Sequence, residues 1–265
     1  MTKYWAYSRL AFIESTAYRV SMMLSLLIGP FNLMVQYFIW SALFSLQEGI
    51  AGYNLVSVMT YFTVAMIISY LIYNGLADEF KDLIVRGTLT RELLRPIELM
   101  KQLFFYTLGH RTMALLIEAL PLIVIAALLL GAKSIVPAMP IYFFLGILAS
   151  FLINYLSGYA LSLSAFWTKK TNAVKFVSFA IFLVATGYGF PLDILPEALQ
   201  VISAYLFFQH IVYAPTKYFI GDFALGPVTS EVTNLLLAGA WIIVLYLLCI
   251  RIEKQAMKNY QGVGQ

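Results

Sequence analysis

The sequence predicts an all-α membrane protein with six transmembrane helices, and three observations carry that expectation. Of its 265 residues, 62% are hydrophobic and only 11% are charged, whereas an average soluble domain has roughly 45–50% apolar and about 25% charged residues. The mean hydropathy is +0.84. The apolar residues fall in uncharged blocks, and about 30 Å of hydrocarbon needs roughly 20 residues of helix to cross it. This composition excludes a soluble enzyme, a disordered chain and a disulfide scaffold.

The elements follow in order. Residues 1–19 read as a cytoplasmic helix whose charges (Lys3, Arg9, Glu14, Arg19) spread around its circumference, so it has no clean interfacial face. Those charges, and the length of the apolar run that follows, argue against a cleavable signal peptide. The expected spans are 20–46, with a kink at Gly29-Pro30, then 55–77, 112–131, 138–167, the short 176–190, and 232–250. The third is started near Thr112 because His110 and Arg111 precede it, although Glu118 lies within it. The fourth carries Gly146, Ser150, Asn154, Gly158 and Ser162 at every fourth position. Small residues at that spacing let helices approach closely, and packing inside one subunit is favoured over lining a pathway.

Orientation follows from lysine and arginine placement. The N-terminal segment, the loop after span two with Arg111, the loop after span four and the C-terminal tail hold 15 of the 17 basic residues. Only Lys133 and Lys217 remain for the other side. Both termini are therefore expected in the cytoplasm, with the chain multi-pass in a plasma or inner membrane. Residues 191–229 are broken by Pro191, Pro196, Pro215 and Pro227 and are rich in aromatics. Counting them as another span would turn the basic tail outward. They read instead as a re-entrant or interfacial helical hairpin on the outer side. The net charge of +4 does not point to nucleic acid, because the basic residues sit in clusters between apolar blocks. The single cysteine, Cys249, allows no internal disulfide.

Catalytic signatures are missing. No phosphate-binding loop, paired-cysteine pattern, H-E-x-x-H or G-x-S-x-G occurs. His110 and His210 are isolated and read as packed residues. The informative stretch is Asp78–Lys101. Asp78 and Glu79 open it, Gly87 can end a first short helix, Thr88 or Thr90 can cap a second, and Pro96 stops that one. Leu89, Leu93, Leu94 and Ile97 supply an apolar side, and Arg86, Arg91, Glu92 and Arg95 a charged one. These residues fit either a solvated positive connector or a docking element for a cytoplasmic partner.

Gly87-Thr88-Leu89 followed by Leu93-Leu94-Arg95-Pro96-Ile97 resembles the G-x-L-x-x-x-L-L-R-P-[IL] segment of type-2 ATP-binding-cassette (ABC) exporter permeases, in the branch with small six-span subunits. The motif covers about 11 residues, and the span layout agrees over nearly the whole chain. The resemblance implies a half-transporter that pairs with a second six-span permease, identical or homologous, and binds two copies of a separate ATPase. ATP and Mg would sit on that ATPase, with no cofactor, metal or catalytic residue in this chain. The implied coupling set is Asp78, Glu79, Arg86, Gly87, Leu89, Arg91, Leu93, Leu94, Arg95 and Pro96.

An ionisable group at membrane depth costs several kcal/mol unless paired or hydrated, which makes Glu118 a candidate for the substrate path. Tyr61, Tyr70, Tyr73 and Asn74 of span two are further candidates, set to face a dimer interface that admits an amphiphilic substrate such as a lipid, a peptide or a drug-like compound. A stand-alone channel or secondary transporter would need internal repeats or more ionisable residues within spans. An intramembrane enzyme would need to be built from Asp193, Glu197, His210 and Asp222, whose types match no evident reaction.

Overall fold

A computed structural model describes residues 2–17, 19–46, 52–76, 80, 83, 89–95, 97–131, 136–167 and 171–259. Nearly all of them are helical. The order is α1 (Thr2–Ala17), α2 (Arg19–Leu46), α3 (Leu55–Ile72), α4 (Leu89–Leu93), α5 (Leu99–Ala114), α6 (Leu120–Leu130), α7 (Pro140–Ser162), α8 (Thr171–Ala185), α9 (Glu197–Tyr205), α10 (Tyr213–Ile220) and α11 (Glu231–Asn259). Among the described residues, five helices are long and apolar enough to cross a membrane: Leu24–Leu46, Leu55–Ile72, Leu99–Leu128, Pro140–Phe166 and Glu231–Lys258. A sixth apolar helix, Phe176–Ala185, is shorter than a span requires. The chain is a multi-pass membrane protein.

Helix α2 runs unbroken through Pro30, although that residue cannot close a hydrogen bond one turn back. Helix α3 starts at a capping box: Asn54 Oδ1 accepts the Ser57 amide at 2.8 Å and Ser57 Oγ accepts the Asn54 amide at 2.9 Å. The helix that holds the third span begins at Leu99, ahead of the membrane entry expected near Thr112, and carries His110 and Arg111 within it. Both polar residues have partners there. His110 Nδ1 lies 2.6 Å from Ser15 Oγ, and Arg111 Nη1 donates to the Tyr70 carbonyl at 3.1 Å. Charge placement does not mark where the helix itself starts.

Between α5 and α6 the backbone takes one π-helical turn, Leu115–Ala119, in which the Leu120 amide bonds to the Leu115 carbonyl. Pro121 follows immediately and has no amide to continue the ladder. Helices α7 and α11 pack along each other, with Cys249 Sγ donating to the Leu156 carbonyl at 3.2 Å. Helix α3 lies at the centre and touches α2, α5, α7 and α10. The buried core runs along this centre, through Tyr61, Phe62, Ile68, Ile153 and Tyr159. Helix α2, by contrast, exposes Leu27, Phe31, Met34 and Phe38, an apolar face of the kind that lipid or another helix covers.

The region 191–229 contains the short helices α9 and α10 with 3-10 turns at Leu192–Ile194 and Phe207–His210. Helix α10 runs antiparallel along the first half of α7. The Ala138 and Met139 amides bond to the Phe219 and Tyr218 carbonyls, and Ser150 Oγ donates to the Ile211 carbonyl. Ser150 lies ten residues into α7, about 15 Å along its axis. The hairpin therefore descends beside α7 to the middle of that helix.

Helix α1 lies against α5 rather than on a lipid surface. Tyr4 stacks on Phe105 at 5.4 Å, and Tyr106 Oη donates to Glu14 at 2.8 Å. Close approach depends on Gly109, where a Cβ would come within 2.1 Å of the Ser8 carbonyl oxygen. Main chain cannot swing aside as a flexible side chain can. Gly109→Ala is therefore expected to push α1 off α5 while leaving the spans inserted. Limited proteolysis within residues 2–17 should become several-fold faster, and unchanged protection would refute this account of the packing.

Candidate coupling site

The connection between α3 and α5 is the segment singled out by its charge pattern. Of its candidates, Asp78, Glu79, Arg86, Gly87 and Pro96 lie outside the described residues. Leu89 is completely buried, Arg91 is exposed and Leu94 is 80% exposed. Leu93 belongs to α4. The division into one apolar and one charged side therefore does not hold. Leu89 points inward, Leu94 outward, and the charged Glu92 is buried.

Glu92 is the residue that the pattern missed. Its carboxylate accepts Arg95 Nη1 at 2.6 Å and Gln102 Nε2 at 2.9 Å, and Arg91 Nε lies 3.6 Å away. Arg95 also donates to the Tyr7 hydroxyl of α1 at 2.8 Å. One carboxylate thus ties α4 to α5 directly and to α1 through Arg95. A buried carboxylate is tolerable only when paired and hydrogen-bonded, which explains why Arg95 turns back toward the protein. Arg91 and Leu94 are left at the surface as groups able to meet a partner.

The start of the segment is held differently. Helix α3 ends at Ile72, and Tyr73, Asn74 and Gly75 are not helical. The last carbonyls of a helix have no partner within it. Here the Tyr73 amide bonds to the Ser69 carbonyl, Arg111 serves that of Tyr70, and Asn154 Nδ2 donates to that of Ile72 at 2.6 Å. Asn74 Nδ2 donates in return to the Asn154 carbonyl at 2.9 Å. Gly158 makes room for this clasp, since a Cβ there would lie 2.4 Å from Asn74 Oδ1. Farther along, the buried Phe80 ring packs edge-on to Tyr159 at 5.6 Å and Phe166 at 6.2 Å. The Met100 carbonyl, beyond α4, accepts the Tyr155 hydroxyl.

The candidates for a substrate path separate. Tyr61 is fully buried inside the subunit, with its hydroxyl on the Gly187 carbonyl at 2.6 Å, and does not face outward. Asn74 is occupied by the clasp just described. Tyr73 is 59% exposed, and Arg111 lies 5.3 Å from the centre of its ring. Tyr70 and Glu118 are half-buried, Glu118 within the π-helical turn. Among the described residues no salt bridge joins Glu118 to Arg111. The stripe on α7 packs within the subunit: Ser150 and Asn154 bond to neighbouring main chain, and Gly158 lies under Asn74.

At the opposite end of α3, polar residues of the region 191–229 gather around Lys217, which the charge count marks only as an outside lysine. It is 3% exposed, and its ammonium lies 3.1 Å from both Asp193 and Asp222 and 3.2 Å from the Tyr53 hydroxyl. Tyr53 donates to Asp193 at 2.9 Å. Burial and the Asp193 carboxylate push the Tyr53 phenol far above its ordinary value, so it keeps the proton it donates. His210 is buried beside Gln209, away from this cluster. All these groups satisfy one another, which is the chemistry of a fastening rather than of a reactive centre.

The Glu92 junction makes a specific prediction. Arg95→Ala should destabilise the protein by about 1–3 kcal/mol, the usual cost of leaving a buried charged group without its partner. Adding Glu92→Gln should recover much of that loss, because the group left unpaired would be neutral. Thermal unfolding in detergent measures both variants, and additive losses would show that the two side chains do not act as a pair.

Comparison with curated proteins finds no match. A family model described as ABC-2 family transporter protein matches residues 31–264, which include α3, the segment that follows it, the region 191–229 and all of α11. The chain belongs to the ABC-2 transporter family and is a membrane subunit of an ABC transporter.

Proposed function

We propose that this chain is one half of an ABC exporter that moves an amphiphilic substrate (lipid, peptide or drug-like) across the cytoplasmic membrane. ATP hydrolysis would take place in a separate ATPase subunit bound in two copies. In this reading α8 is the sixth span, too short to cross by itself and completed by the hairpin it meets. Both termini are cytoplasmic, following the placement of the basic residues. The second permease, identical or homologous, and surrounding lipid cover the open apolar face of α2.

The observation that carries the reading is the construction of the α3–α5 connection. It is anchored at both ends and presents Arg91 and a bare leucine, Leu94, between the anchors. An exposed large apolar side chain beside a cation is what a cleft on a partner protein accepts. Closure of the ATPases on ATP would draw this connection with them, and differential binding of nucleotide states would bias the permease between conformations. The permease would contribute no catalytic residue.

A stand-alone channel or secondary transporter, the other reading open to the sequence, does not fit membership of the ABC-2 family. Affinity purification in mild detergent should recover an ATPase bearing a phosphate loop, and recovery of this chain alone would overturn the assembly with a separate ATPase. Leu94→Asp combined with Arg91→Glu should leave insertion and folding intact, because both side chains are at the surface. It should lower ATPase recovery by about tenfold or more, the loss of roughly 1.4 kcal/mol of binding. Full recovery with the double variant would remove α4 from the docking surface.

A further inference from the structure

We propose that α7 is the transmission element of the transporter, receiving displacement of the α3–α5 connection in its cytoplasmic half and delivering it to the outer hairpin. The proposal rests on ATPase docking at the connection, and it assigns the route that the stroke takes from there.

The input contacts converge on one helix. Asn74, Phe80 and Met100 stand before and after α4, and all three engage α7 or the 3-10 turn that ends it. Asn154, Tyr155, Gly158 and Tyr159 receive them within two turns of helix. Side chains of α7 also donate to the main-chain carbonyls that flank the connection, those of Ile72 at the end of α3 and Met100 at the start of α5. These bonds hold the backbone on either side of the connection, while the Asn74 side chain ties its first residues to the Asn154 carbonyl. A connection pulled from outside the protein draws on α7 through these contacts.

The output contacts lie on the same helix farther out. Ser150 holds the Ile211 carbonyl, and Phe143 packs edge-on to Phe219 at 5.1 Å. Just before the helix, the Ala138 and Met139 amides bond to main chain at the end of α10. Between the two sets α7 is an uninterrupted α-helix from Pro140 to Ser162, about 34 Å long by its rise per residue. Its only proline stands at the first position, where it breaks no internal bond. Such a helix moves as a rod, and α10 moves with it.

Motion of α7 against α3 must then be felt at one outer fastening. Lys217 travels with α10, whereas Tyr53 directly precedes the cap of α3. The bond between them and the Tyr53–Asp193 bond are the hydrogen bonds joining α3's outer end to the hairpin cluster. Displacement of the rod parts Tyr53 from Lys217 and Asp193 and opens the outer end of the subunit beside α3.

The test uses the full complex with its co-purified ATPase in lipid nanodiscs. Cys249→Ser removes the single native thiol, and Ala224→Cys places a reporter at an exposed position of the loop that follows Lys217. Labelling by a membrane-impermeant maleimide is timed without nucleotide and after trapping with ATP and vanadate. The reporter rate is expected to differ between the two states by about fivefold or more, the range of ordinary allosteric coupling. Asn154→Asp, which loses the donor to Ile72, and Tyr155→Phe, which loses the donor to Met100, should each abolish most of that difference while the ATPase still co-purifies. A merely structural role would lower yield or stability without removing the response to nucleotide. If the difference persists at full size in both variants, or is absent from the reference complex with ATPase bound, α7 is not the transmission element. Tyr155→Phe decides alone should Asn154→Asp fail to assemble. Absence of the ATPase from the reference complex would instead overturn the proposed function itself.

Discussion

The organising constraint in this structure is the fate of the carbonyls at the C-terminal end of α3. A helix that stops leaves its last carbonyls without internal partners, and inside a membrane protein no bulk water is at hand to take them. Here two other helices supply the donors. Arg111 reaches over from α5 to the Tyr70 carbonyl, and Asn154 reaches from α7 to that of Ile72. The helix can unwind at Tyr73–Gly75 only because these two side chains are in place. The connection that leaves α3 is for the same reason joined to α7 from its first residues.

The rest of the arrangement follows from that join. Once Asn74 is committed to the Asn154 carbonyl, Gly158 must be without a side chain, and Phe80 is delivered to Tyr159 and Phe166 one turn farther along. The other end of the connection is closed by Tyr155 on Met100 and by Glu92, whose buried charge recruits Arg95 and Gln102. Arg95 extends the same network to Tyr7, which explains why α1 lies along α5 and not free on the membrane surface. Among the described residues at and just after α4, Arg91 and Leu94 are left outward. Their exposure is a consequence of how thoroughly their neighbours are engaged.

Two ion-paired centres therefore frame the subunit. Glu92 gathers α4, α5 and α1, and Lys217 gathers Tyr53 and the region 191–229. Burying charges carries a large desolvation penalty that only good geometry repays, so neither is a cheap way to hold helices together. Each instead gives a join that exists in one arrangement and is lost in any other. That is a suitable property for contacts that must change when a transporter changes state.

The sequence by itself determined the class of this protein. Blocks of uncharged apolar residues require lipid, because hydropathy depends on composition within short windows. The short pieces of the region 191–229 were partly legible, since Pro191 and Pro196 stand where helices stop and start, whereas Pro30 and Pro215 lie inside helices. Tertiary structure alone decided which polar residues would be inside. Glu92 read as a solvated charge, Tyr61 as facing an interface, and Lys217 as an outside lysine, because spacing along the chain does not show which side chains fold inward: the acceptor of Tyr61 lies 126 residues later and Tyr53 lies 164 residues before Lys217. Asn154 was visible only as one of a row of small or polar residues. Its role as the donor that ends α3 comes from a neighbour 82 residues earlier in the chain, and no periodicity could have paired the two.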